Sequence, residues 1–176
     1  MAVTIDGTNG ITFPNSTVQA SAGKVLQVVS TAKTSAFTTT SNTPVDVTGM
    51  SVSITPTSVN SKVLIIFYVG VVGNSNAGQA SELWLVRNST QLNIGDTAGS
   101  RTSVTAAFGD GSVNYCFSPV AITFLDSPAT TSATTYKIQL ATQDTGTASF
   151  NQRGDDADGS AYQRSGASIT VMEIAA

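Results

Sequence analysis

The stretch Lys62-Val63-Leu64-Ile65-Ile66-Phe67-Tyr68-Val69-Gly70-Val71-Val72 constrains the fold more than any other part of the chain. It is β-branched and aromatic throughout, lacks a helix-period polar face, and lies between Asn60-Ser61 and Gly73-Asn74-Ser75-Asn76, so it reads as a strand. Side chains alternate across a strand, which sends Val63, Ile65, Phe67, Val69 and Val71 one way and Leu64, Ile66, Tyr68 and Val72 the other. Both faces are therefore apolar, whereas a two-sheet sandwich buries only one. Leaving the second stripe in water would forfeit roughly 1.5–3 kcal/mol per large apolar side chain. Something outside the sandwich is expected to cover it, and the first inference is another copy of the same chain. A transmembrane helix is excluded by length, since crossing a bilayer takes about 20 apolar residues.

With 176 residues the chain has room for one domain and a short appendage. Only 11% of its residues are charged, and Ser, Thr, Asn and Gly fill the gaps between apolar runs. That composition favours short strands and turns, and no convincing helix is found. A net charge of −3, with eight basic residues scattered from Lys24 to Arg164, argues against nucleic-acid binding. Histidine is absent and Cys116 is the single cysteine, which removes histidine triads, zinc fingers and intrachain disulfides together. The start Met1-Ala2-Val3-Thr4-Ile5-Asp6 has neither the basic nor the apolar region of a secretory signal, so synthesis in a cytosol is expected.

Residues 1–23 carry Ile5, Ile11, Phe13 and Val18 among turn formers, too few apolar groups for a core of their own, so this segment is expected to fold against other chains. Gly10-Ile11-Thr12-Phe13-Pro14 followed by Thr17-Val18-Gln19-Ala20-Ser21-Ala22 resembles a short element near the start of the tip in tailed-bacteriophage fibre proteins, with Asn15-Ser16 where that element has Asp-Gly. The resemblance implies a trimeric virion protein of a bacteriophage, attached to other virion proteins through residues 1–23 and assembled in the host cytoplasm.

Further strands are expected at 24–31, 45–55, 81–87, 102–108, 113–125, 136–141 and 168–174, with a short one at 36–39. Gly49 marks a bulge, because Val45/Val47 and Met50/Val52/Ile54 fall on opposite parities. Counting the central stretch, the first, third, sixth and eighth strands are apolar on both faces, while the second and seventh alternate. This division resembles an all-β jelly-roll sandwich of the C1q/TNF-like type, whose first, eighth, third and sixth strands form the inner sheet around a threefold axis. The resemblance covers residues 24–176 and implies a homotrimer, with Leu64, Ile66, Tyr68, Ile122, Phe124 and Val171 as interface candidates.

In such a fold the connections 32–44, 73–80, 109–112 and 143–166 lie at the end away from the N-terminal segment. A fibre tip meets its receptor there, which nominates Asn74, Asn76, Gln79, Asp110, Asn151, Gln152, Arg153, Asp155, Asp156, Asp158 and Tyr162 for contact with a host surface glycan or protein. Gly154-Asp155-Asp156-Ala157-Asp158-Gly159 offers weak calcium candidates in Asp155, Asp156 and Asp158, but Gly154 occupies the first position of an EF-hand loop and Ser165 its closing position. No metal or cofactor is expected. Arg153-Gly154-Asp155 spells an integrin-binding tripeptide by chance, Trp84 reads as a core residue, and Cys116 as a small buried hydrophobe.

Three functions are weighed. The leading one is a non-enzymatic trimeric tail-fibre or spike tip that binds the host cell surface without membrane insertion. The alternative is a capsid decoration protein attached to the phage head. A glycan-cleaving enzyme would need two facing carboxylates, and the sequence supplies only Glu82, Glu173 and loop aspartates.

Overall fold

The computed structural model describes residues 4–6, 10–12, 18–19, 24–109 and 117–175. Near the N-terminus, β1 (Thr4–Asp6), β2 (Gly10–Thr12) and β3 (Val18–Gln19) pair antiparallel in a small sheet of their own. The remaining strands are β4 (Val25–Lys33), β5 (Phe37–Thr39), β6 (Val45–Ile54), β7 (Lys62–Asn74), β8 (Ser81–Arg87), β9 (Thr90–Leu92), β10 (Ala106–Phe108), β11 (Phe117–Asp126), β12 (Thr134–Thr142), β13 (Ala148–Phe150) and β14 (Ala167–Ile174). No helix occurs among the described residues.

These strands form an all-β sandwich. One sheet has the order β10-β8-β12-β6, with β9 beside β8; the other has the order β4-β14-β7-β13-β5, with β11 on the far side of β7. The four segments that the sequence makes apolar on both faces thus share one sheet, and the two alternating segments pair in the other. The division has a simple cause. A strand with one apolar stripe can leave its polar side in water, while strands with two stripes gain by clustering.

The core lies between the sheets. Val63, Ile65, Phe67 and Val69 of β7 project into it with Ile169 and Val171 of β14, against Met50 of β6, Leu83 and Leu85 of β8, and Tyr136 of β12. Phe67 and Phe150 stack at 6.2 Å between ring centroids. Gly49, at φ 81°, adopts the left-handed conformation of the expected bulge, and the β12–β6 register shifts there so that Val47 and Met50 both reach the core.

Buried polar contacts tie the sheets together, and a carboxylate stands at the centre of one of them. Asp126 of β11 accepts from Arg87 Nη1 at 2.8 Å and from the Tyr136 hydroxyl at 2.7 Å, and both donors come from the opposite sheet. Burial pushes the Tyr136 hydroxyl pKa far up, and the bond to Asp126 adds to that, so the phenol stays a donor.

The expected strand at 102–108 is shorter than its sequence indicated. Only Ala106–Phe108 pair with β8; the preceding residues fold over the outside of β8 and seal Trp84, whose Nε1 donates to Ser103 O at 3.0 Å. Trp84 is buried as expected, but in a small second cluster with Val86 and Ala141 rather than between the sheets.

Candidate functional site

The two ends of the sandwich differ. At one end Ala175 N–H donates to Lys24 O, and the Glu173 carboxylate receives Gln27 Nε2, Thr57 N–H and Thr57 Oγ1, each at 2.7 Å. Burial by itself would push this carboxyl up, but those donors reverse the effect and hold it at about 2. This terminal end is where residue 24 leaves toward the N-terminal segment.

Connections 34–44, 75–80 and 143–166 meet at the opposite, loop end. Two short strands bring them there: β13 pairs with both β5 and the end of β7. Asn42 Nδ2 donates to Asp144 O at 2.8 Å, and Ser75 N–H to Thr147 O at 3.1 Å.

The receptor candidates divide into two groups. Asn74, Asn151 and Gln152 are buried, which corrects the expectation that they offer side chains to a ligand. Asn74 Nδ2 donates to Thr142 Oγ1 and Ala80 O, while its Oδ1 receives Asn76 N–H. Asn151, at φ 62°, donates to Lys33 O at 2.9 Å and Ser35 O at 3.2 Å and receives the Ser165 hydroxyl. Gln152 pairs with Arg164 in an isolated bridge. A surface loop must satisfy its own backbone groups where it folds back on the sheet, and the side-chain amides of Asn74 and Asn151 do that. Asn76, Asp156 and Asp158 are exposed, and Gln79, Arg153, Asp155 and Tyr162 are half-buried. Asp110 lies outside the described residues, as do Cys116 and residues 113–115 of the expected sixth strand.

Arg153 organises the 151–165 loop. Its guanidinium carbon lies 5.1 Å from the Phe117 ring centroid and 4.9 Å from that of Tyr162, so the cation is held between two aromatic rings. Nη1 donates to Ala161 O at 2.9 Å, and Nε lies 3.0 Å from Asp155 Oδ1. Gly154 is pressed onto the chain at Asn74, where a Cβ would come within 2.3 Å of the Asn74 carbonyl oxygen. Arg153-Gly154-Asp155 is thus a closed turn whose two charged side chains face each other, unsuited to presentation as a splayed tripeptide. Arg164 pairs with Asp156. Two of the three weak calcium candidates are therefore already neutralised by arginines, and no group of three potential metal ligands occurs among the described residues.

The outward face of the β4-β14-β7-β11 sheet is the larger feature. Residues opposed in an antiparallel ladder share a face, which aligns Leu125, Leu64, Met172 and Val28 in one row across the four strands. The next row is Thr123, Ile66, Thr170 and Ser30, and the next Ala121, Tyr68, Ser168 and Ala32. None of these carries a charge. Tyr68 is 49% exposed, Val28 55% and Leu125 53%, unusual values for large apolar groups standing together.

Leu64, Ile66 and Tyr68 lie on this face as the alternation of β7 requires. Ile122 and Val171 do not: both are buried in the core, and Phe124 packs against the core from its edge. Those three interface candidates are corrected to Thr123, Leu125, Thr170 and Met172, their outward neighbours. The reason is parity. A strand apolar on both sides does not say which stripe faces inward; its register against β7 does. Val72 is corrected likewise, because the β11–β7 ladder shifts between Ser118 and Val120 and Val72 turns into the core beside Phe150.

Among the described residues, Glu82 and Glu173 do not face each other. Glu82 is buried on the outside of β8; burial pushes its carboxyl up while a Thr102 hydrogen bond pulls it partly back. Glu173 is buried and held by its donors at the terminal end of the sandwich, where β14 meets the 55–61 connection. No protein-family model matches the chain, and no curated protein is significantly similar to it.

Proposed function

We propose that this chain is a non-enzymatic virion protein of a tailed bacteriophage, a homotrimeric tail-fibre or spike tip that meets the host cell surface with its loop end. The observation that carries the reading is the outward face of β4-β14-β7-β11, whose three central rows hold no charge and where Val28, Leu125 and Tyr68 are about half exposed. A chain of net charge −3 meets least self-repulsion where its surface is neutral, so a second and third copy suit that face. The strand orders β4-β14-β7-β11 and β6-β12-β8-β10 support a jelly roll of the C1q/TNF-like type. The fibre-like element at residues 10–22 supports attachment through the N-terminal segment.

The termini of the sandwich and its long loops lie at opposite ends, the arrangement a tip needs to be held at one end and to touch a receptor with the other. Asn76, Asp158 and Tyr162 remain as receptor candidates. A non-enzymatic role is supported by the absence of histidine and by the burial of both glutamates. Cryo-electron microscopy of virions carrying the protein tests the reading: three copies about one axis at the far end of the tail are expected. Copies distributed over the head lattice would replace the fibre-tip reading with capsid decoration.

A further inference from the structure

We propose that the contact between copies extends beyond the strands to the loop end, where a neighbouring copy of this chain covers Phe117 beside the 151–165 loop; this rests on the assembly reading above. The argument starts from parity. Phe150 is fully buried in the core and opposes Val72, also buried, so the next residue of β7, Gly73, faces outward. Phe117 is the partner of Gly73 on β11, and it shares the outward parity of Ala121, Thr123 and Leu125. Phe117 is 43% exposed although Arg153 already lies against its ring. From Ala121 to Phe117 is about 13 Å along the strand, with exposed Pro119 between them. The apolar rows and the Phe117 ring are thus parts of one surface.

Two properties of the adjoining loop favour another copy as the occupant over a separate ligand. The first is charge: Arg153, which lies against the Phe117 ring, is balanced by Asp155 at 3.0 Å, so the ring stands beside a neutral pair and not beside a bare cation. The second is rigidity. Gly154 is wedged against Asn74, a Cβ on Gly70 would meet Ser165 Cβ at 2.7 Å, and Asn151 is tied to Lys33 and Ser35. A preformed wall beside a flat sheet gains affinity without an ordering cost, as contacts between identical folded subunits do.

The test compares the full-length chain with Phe117→Ser and Leu125→Asp by sedimentation velocity over a range of concentrations, with circular dichroism to verify the fold. Leu125→Asp is expected to dissociate the assembly, and Phe117→Ser to weaken association by roughly tenfold or more. The amides of Phe117 and Arg153 should also exchange hydrogen more slowly in the assembled than in the dissociated protein. If Phe117→Ser assembles as tightly as wild type while Leu125→Asp falls apart, the contact ends at the strands and the inference fails, leaving the assembly reading intact. Loss of host-cell adhesion by Phe117→Ser with unchanged assembly would also overturn it, making the ring part of a receptor site. A wild-type chain that stays monomeric at every concentration would remove both.

Discussion

Glu173 is the group whose replacement most sharply tests the electrostatics of this fold. It is fully buried at the terminal end of β14 and receives Gln27 Nε2, Thr57 N–H and Thr57 Oγ1 at 2.7 Å each. A carboxyl held at about 2 instead of 4.5 corresponds to about 3 kcal/mol of folded-state preference for the ionised form, an upper figure for its contribution. Because the folded pKa is depressed, that stability is fully present above pH 4.5 and is lost as the pH falls toward about 2. Glu173→Gln removes the titration and turns an amide donor toward groups that are themselves donors, so it should destabilise the protein at pH 7 by about 2–4 kcal/mol. Urea unfolding of both proteins between pH 7 and pH 2.5, at one fixed protein concentration, reads the difference. The gap should narrow steadily below pH 4.5. Parallel curves across that range, or a Gln variant as stable as wild type at pH 7, would refute the argument.

Tyr136→Phe leaves one acceptor of Asp126 without its 2.7 Å partner and should cost about 1–3 kcal/mol, measured as a lowered urea midpoint. Gly154→Ala places a Cβ 2.3 Å from the Asn74 carbonyl oxygen, so the 151–165 loop must move; faster amide exchange there with an intact core is expected, and unchanged exchange would contradict the packing. Millimolar calcium should leave the melting temperature unchanged, because Asp155 and Asp156 are paired with Arg153 and Arg164; a clear rise would show a cation displacing them.

Much of the sandwich is written into local pattern. Two-sided apolar runs such as 62–72 and 168–174 lower their exposed area by lying together, so the sheet division implied by the jelly-roll resemblance agrees with the alternation. The bulge at Gly49 was readable for the same reason, since the apolar parity changes across it. What alternation does not carry is which of two apolar stripes turns inward. Val171 and Ile122 therefore went to the core, while Met172 and Leu125 took the outward face.

The loop end was less legible. β13 is a strand only because β5 and β7 are placed on either side of it, and Ala148–Phe150 alone is too short to announce itself. Asn74 and Asn151 look like ligand-binding amides in sequence; their side chains are turned inward by acceptors at Thr142, Lys33 and Ser35 that are distant in the chain. The contacts of Arg153 with Phe117 and Tyr162 join the 151–165 connection to the start of β11 and leave no mark of spacing to read.

Self-association through the outward face is the claim on which the functional reading depends, and sedimentation equilibrium of the purified chain at micromolar concentration measures it most directly. Three subunits of 18.0 kDa should give about 54 kDa, falling to the monomer mass when Leu125 or Tyr68 is replaced by aspartate. A stable wild-type monomer, with Val28, Tyr68 and Leu125 open to solvent, would contradict it.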